Sequence, residues 1–155
     1  METTRSDIQP SPVPRVGVGA VVFRGEAVLL VKRANPPLAG EWSLPGGKLH
    51  WGERLTDGVA REVREETGIE IEVLGLVDVI DAILSNATGD VQYHYTLVDY
   101  AALWRSGNPV AASDAAEAAF FEPAALAALP LWPQTRAMIE KAKPYVRHLH
   151  GPDPT

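Results

Sequence analysis

The sequence predicts an α/β sandwich in which a mixed β-sheet lies between helices, and three observations predict it. β-rich segments dominate the first two thirds of the chain, one amphipathic helix interrupts them, and further helical segments gather near the C-terminal end. Helices that bury an apolar stripe against a sheet pack on its faces, and the result is a layered domain.

The elements follow in order. "RVGVGAVVFR" (15–24) and "AVLLVKR" (27–33) are β-rich runs on either side of Gly25-Glu26, so they read as an antiparallel hairpin. "EWSL" (41–44) is a short strand that stops at Pro45-Gly46-Gly47. Residues 46–54 contain three glycines, which suits a loop that turns sharply or approaches a ligand. Leu55 to Thr67 is the first convincing helix: Leu55, Val59 and Val63 recur every four residues, and Gly68 stands at the C′ position. Gly58 inside it and Arg54 at its cap are locally unfavourable. "IEIEVLGLVDVIDAIL" (69–84) is one long strand or two, followed by a turn at "SNATGD" and the strand "VQYHYTLVDYAALW" (91–104). After the loop "RSGNPVAASDAAE" (105–117) come a short strand, "AAFFE", and the helical segments "PAALAAL" and "PQTRAMIEKAK". Pro133 suits the first turn of the last one. A single domain is expected over 15–145. It is flanked by a flexible arm, 1–14, whose prolines discourage regular structure, and a flexible tail, 146–155, ending in "HGPDPT".

Composition narrows the function classes. The chain has 155 residues, 46% hydrophobic and 22% charged, as in a globular protein. Its formal charge of -6 argues against nonspecific binding to nucleic acid or to an anionic membrane, and an acidic protein that handles phosphates needs a metal to screen the repulsion. The absence of cysteine excludes disulfides, zinc-thiolate sites and thiol nucleophiles, and fits a cytoplasmic location. No apolar run approaches the roughly 20 residues that span a bilayer.

Chemistry concentrates in "GGKLHWGERLTDGVAREVREETGIE" (46–70). At about 100° per residue, Glu62, Glu65 and Glu66 share one helix face, away from Val59 and Val63. Like charges three and four residues apart cost a few tenths of a kcal/mol per pair. Solvent and arginines such as Arg61, which can pair with Glu65 or Glu53, offset that cost, or a cation does.

The spacing of this stretch resembles the Nudix box, the signature of the Nudix hydrolases. Five residues separate Gly47 from Glu53 and seven separate Glu53 from Arg61-Glu62; Glu65-Glu66, Thr67 and Gly68 complete the pattern. With the preceding "EWSLPGG" and the strand order on both sides, the resemblance covers roughly residues 15 to 142. It implies a Nudix-type α/β/α sandwich that uses Mg²⁺ or Mn²⁺ to hydrolyse a nucleoside diphosphate linked to another group. Carried over by position, Glu62, Glu65 and Glu66 are the metal carboxylates, assisted by the backbone carbonyl of Gly46. Glu53 and Arg61 hold loop and helix together as an ion pair, with Glu53 also a candidate to reach a metal through water, and Gly47 and Gly68 are structural.

The resemblance also implies in-line attack of water on a diphosphate phosphorus. The proton acceptor is Glu66 as first choice, Glu65 as the other box candidate, or a later acid, for which Asp114 and Glu117 stand in the expected region. Each of these two reads equally as part of a polar loop. Arg33 is a candidate phosphate contact, or a surface ion pair. Trp132, Phe120, Tyr93 and Tyr95 are candidates to stack a base, against a reading as core. His50 and Trp51 are placed at the mouth of the site, His94 in packing, and His148 and His150 in the tail. "HYTLVDYAA", "DAAEAAFF" and "LPLWPQT" are similar to small bacterial ADP-ribose pyrophosphatase-like members, which makes ADP-ribose the first expected substrate. A nucleoside triphosphate pyrophosphatase of the pool-cleaning type is the alternative. A non-catalytic nucleotide-sensing module is a further one, and the intact box in a chain with no second-domain-sized segment argues against it. Exposed strand edges leave a homodimer open.

Overall fold

The computed structural model describes residues 12–36, 38–147 and 149. Strands β1 (Arg15–Arg24) and β2 (Ala27–Arg33) turn at Gly25, whose φ of 62° is the left-handed conformation a tight turn requires. Then come β3 (Trp42–Ser43), β4 (Gly46–Lys48), helix α1 (Leu55–Thr67), β5 (Glu70–Ser85), β6 (Val91–Ser106) and β7 (Ala115–Phe121). Helices α2 (Pro123–Ala128), α3 (Pro133–Ala142) and α4 (Pro144–Arg147) close the described fold.

The sheet runs β3-β2-β1-β6-β5, with β4 paired to β1 and β7 to β2. β1 lies parallel to β6 and antiparallel to β2 and β4, so the sheet is mixed. Side chains alternate across it. Val18, Ala20 and Val22 of β1 meet Val59 and Val63 of α1 on one face, while Val21 and Phe23 meet Leu126, Met138 and Ile139 on the other. Full burial of each such aliphatic side chain contributes about 1.5–3 kcal/mol. The layers are therefore helix, sheet, helix.

Several boundaries differ from the sequence reading. The glycine loop expected from residue 46 begins instead as β4, with Gly46 opposite Gly19 and Gly47 opposite Val18. A side chain at Gly46 would strike the carbonyl of Val18, so the close approach signalled by the glycine is to a neighbouring strand. β5 is one strand; its register shifts against β6 explain why the sequence also reads as two. β7 starts at Ala115, three residues before the expected strand, because pairing with β2 extends to Arg33. α4 reaches Arg147 and buries Val146, so ordered structure enters the segment read as tail. His148, His150, the end of that tail and residues 1–11 of the arm lie outside the described residues.

Gly58 has a packing reason. A Cβ there would come within 2.8 Å of Leu49 and 2.9 Å of the Glu53 carboxylate, so the residue that weakens the helix locally admits the loop that crosses it. Arg54 makes no side-chain cap, as its type predicts, whereas Gly68 ends the helix at φ 73° with its N–H donating to the Arg64 carbonyl. Among the described residues no helix is long and apolar enough to cross a membrane.

Candidate active site

The amino end of β4 and the last two turns of α1 meet in one place. The Gly46 N–H donates a 3.0 Å hydrogen bond to Oε1 of Glu66. Glu66 is only 6% exposed, and burial pushes its carboxyl up to about 7, opposed by the Gly46 hydrogen bond and reinforced by the Glu62 charge. Glu62 is also raised, chiefly by burial, which outweighs its pairing with Arg61. A side chain at Gly47 would collide with the Glu62 carboxylate, so glycine there leaves the space that this carboxylate fills.

Arg61 is the hub beside them. Its Nε and Nη2 donate to the two carboxylate oxygens of Glu53 at 2.7 and 2.9 Å. Nη1 donates to Glu62 and Glu65, each at 3.0 Å, and Nη2 also reaches the Lys48 carbonyl at 3.0 Å. The hydrogen bond from Arg61 is the main cause holding Glu53 down at about 2. Glu53 further accepts from the His50 backbone N–H, which fixes the loop. In this arrangement an arginine offsets the repulsion along the helix. Among the described residues no three acidic or histidine side chains are grouped as a cation site: Glu62 and Glu65 turn to Arg61, and Glu66 to Gly46.

The loop before β7 is stitched to the end of α1. Val110 N–H donates to the Thr67 carbonyl at 2.9 Å and Ala112 N–H to the Glu66 carbonyl at 3.0 Å, which satisfies carbonyls that a helix end leaves open. This brings Asp114 close enough for its charge to raise Glu66, while its own carboxylate accepts from Asn35 at 3.1 Å. Glu117 is placed differently from its reading as a loop acid. It lies on β7 opposite Lys32, is largely exposed, and pairs with that lysine at 3.3 Å. Arg33, at the end of β2, lowers both Glu66 and Tyr93 through its charge, so it borders the same region.

The aromatic candidates separate. Tyr93 and Tyr95 stack with centroids 4.5 Å apart on β6. Trp132 precedes α3 and is 40% exposed. Phe120 packs against the core under α1, with the Arg24 guanidinium 3.9 Å from its ring centre. Trp51 is wholly exposed, and His94 pairs with Ile83 across the β5–β6 ladder. A hollow of about 510 Å³ lies under the β1–β2 turn, lined by Phe23, Glu26 and Lys143 among others, and no box residue lines it. The sequence reading passed over Asp99, a buried carboxyl on β6; a lone acid inside the apolar run "LVDYAA" was the available signal.

The family model described as NUDIX domain matches residues 13–142. An ADP-ribose pyrophosphatase of Methanocaldococcus jannaschii is 34% identical over 109 residues, covering 70% of this chain and 62% of that protein. A putative 8-oxo-dGTP diphosphatase 2 of Mycobacterium tuberculosis is 42% identical over 76 residues, 48% of this chain and 54% of that one. The matches thus span less than two thirds of these relatives. Among solved structures, a MutT NUDIX hydrolase from Burkholderia pseudomallei superposes with a TM-score of 0.70 at 37% identity, covering 84% of this chain and 98% of the other. The NUDIX domain of Shewanella oneidensis NrtR, complexed with ADP ribose, gives 0.69 at 25% identity, covering 91% and 95%. With a sandwich of the same build and a box that spans strand, loop and helix, the chain belongs to the Nudix hydrolase family.

Proposed function

We propose that the protein hydrolyses the diphosphate bond of a nucleoside diphosphate linked to another group, ADP-ribose first, releasing AMP and ribose 5-phosphate. The observation that carries this reading is the buried Glu66, held by the Gly46 N–H at the end of the acidic helix face. The ADP-ribose pyrophosphatase relative and the ADP-ribose complex of the superposed NrtR domain support the choice of substrate.

The oxygens present suit a hard divalent cation such as Mg²⁺ or Mn²⁺, which prefers carboxylates and retains waters. Glu66 gives the fit its physical basis, because a carboxylate that burial disfavours gains most from a nearby positive charge. Glu62, Glu65 and Glu66, with the Gly46 carbonyl, would hold the ion. When bound, it supplies charge neutralisation at the diphosphate and a lower pKa for the attacking water. The chain's own residues do the rest. Glu66 accepts the proton of the water that adds to phosphorus; as the bridging P–O bond breaks, the departing phosphate carries away the electron pair. Arg33 contacts phosphate, Trp132 contacts the base, and the Arg61–Glu53 pair keeps loop and helix in register. The working unit is taken as 15–145, in the cytoplasm.

A nucleotide panel with Mg²⁺ tests the substrate. AMP and ribose 5-phosphate from ADP-ribose are expected. Nucleoside monophosphate and pyrophosphate from a triphosphate, with no ADP-ribose turnover, would replace this reading with the pool-cleaning one, which the 8-oxo-dGTP diphosphatase relative favours.

The proposed assembly is a homodimer. β5 ends the sheet, and Leu76, Val79 and Ile83 stand about half exposed on one face of it, opposite Tyr100, Val98 and His94 of β6. An identical edge can pair with it about a two-fold axis. Light scattering is expected to report a dimer that Val79→Glu converts to monomer; a monomeric wild-type protein would remove the assembly and leave the chemistry intact.

A further inference from the structure

Burying a carboxyl is costly unless something answers it. Asp99 lies on β6, between β1 and β5, and is 6% exposed. Among the described residues no donor pairs with its carboxyl; the charge that bears on it is Asp78, across the ladder on β5, and Asp78 is already taken by Lys141 of α3 at 2.7 Å. No fully buried side-chain oxygen or nitrogen lacks a partner among these residues, so the unpaired oxygens of Asp99 open toward solvent. A group that serves only the fold would be expected to have a donor.

Register explains where the carboxyl opens. Asp99 stands beside Gly19 of β1, whose other neighbour is Gly46. A side chain at Gly19 would collide with the Asp99 carboxylate and would lie 3.5 Å from the Pro45 carbonyl. The acid therefore leans over β1 toward the Pro45-Gly46 step, the same step whose N–H holds Glu66. Val98 and Tyr100 point to α1, so Asp99 points to the opposite face. Along that face Leu97 and Tyr95 lean over Gly17, and Tyr93 stacks on Tyr95. Two strand glycines thus leave the room into which these side chains lean, with tyrosines at one end of the row and an unanswered carboxyl at the other.

We propose that Asp99 determines substrate specificity by receiving a hydrogen bond from the adenosine part of the substrate, its ribose 2′-hydroxyl or its 6-amino group. This rests on the nucleotide-hydrolase reading above. Phosphate is excluded as its partner because two anions would meet, whereas an uncharged donor satisfies the carboxyl that the fold leaves open. Burial, with Asp78 adding to it, pushes Asp99 up to about 6, so near neutral pH a fraction of the molecules also offers a proton to an acceptor.

The test compares wild type, Asp99→Asn and Asp99→Ala, with folding checked by circular dichroism and melting. Substrates with Mg²⁺ are ADP-ribose, its analogue lacking the adenosine 2′-hydroxyl, and its hypoxanthine analogue lacking the 6-amino group. Asp99→Ala is expected to lose about 10- to 100-fold in kcat/KM, mainly through KM, the loss expected for a hydrogen bond to a charged group, and Asp99→Asn, which keeps an accepting oxygen, is expected to lose less. Wild-type discrimination against one analogue should also collapse toward unity: the deoxy arm identifies a hydroxyl donor, the hypoxanthine arm a base donor. Unchanged ratios in folded, active variants would overturn the assignment and leave the hydrolase reading standing. So would a wild-type enzyme that treats all three substrates alike, a result that needs no variant to fold. A wild-type protein that neither cleaves nor, by calorimetry, binds any of them would overturn both.

Discussion

Glu66→Gln is expected to lower turnover by about 10²–10⁴-fold, the contribution of a positioned general base, while making the metal-free protein more stable above neutral pH. The two effects have one origin. Burial holds the Glu66 carboxyl up at about 7, against 4.5 for an ordinary glutamate. The folded protein therefore binds more protons at this position than the unfolded chain does. Its stabilising contribution is complete below pH 4.5 and is lost as pH rises through 7. Glutamine never carries that charge and keeps an oxygen for the Gly46 N–H. At pH 8 it should be more stable by about 1–3 kcal/mol, and at pH 5 the difference should nearly vanish. Calorimetry in a chelator at both pH values, with steady-state rates in Mg²⁺, measures both sides. Unchanged turnover would remove Glu66 as the base. A variant less stable than wild type at pH 8 would contradict the electrostatic account.

Arg61→Ala should be the most damaging of the box substitutions to the fold, costing about 3 kcal/mol in metal-free protein, since it leaves partly buried carboxylates of Glu53 and Glu62 without their cation. The loss should shrink in acid: Glu53 sits at about 2 when paired, so its contribution is present above 4.5 and disappears as pH falls through 2. Magnesium should recover part of it. A ligand at about 100 times its Kd stabilises by about 2.7 kcal/mol, and in wild type some of that gain is spent turning Glu62 and Glu65 away from Arg61. The magnesium-induced rise in Tm should therefore be larger in Arg61→Ala than in wild type. Equal rises would show that arginine and cation do not compete for the same oxygens. No rise in either protein would remove the cation from the account.

Much of the arrangement was legible because it is local. The β1–β2 turn at Gly25, the four-residue recurrence of Leu55, Val59 and Val63, and the stop at Gly68 are written in neighbouring residues, and each lies where the sequence places it. What escaped depends on residues far apart in the chain. β4 is a strand because Gly46 meets Gly19, and Glu117 is a strand residue because β7 follows β2 beyond Lys32. Gly58, unfavourable when read as part of a helix, makes sense only with Leu49 and Glu53 laid across it. The candidate site divides in the same way. The spacing of the box carries its glutamates onto one face and puts Arg61 within reach of Glu65 and Glu53, but it is silent on the bond of Arg61 to Glu62, and on Asp99.

The two amides that tie Val110 and Ala112 to the last carbonyls of α1 have a consequence for redesign. Any remodelling of that loop would pull on the backbone of Glu66 itself. Loop and proposed base are mechanically joined there, so grafted loops that preserve both anchors are expected to retain rate, and those that drop either are expected to lose it whatever new contacts they bring.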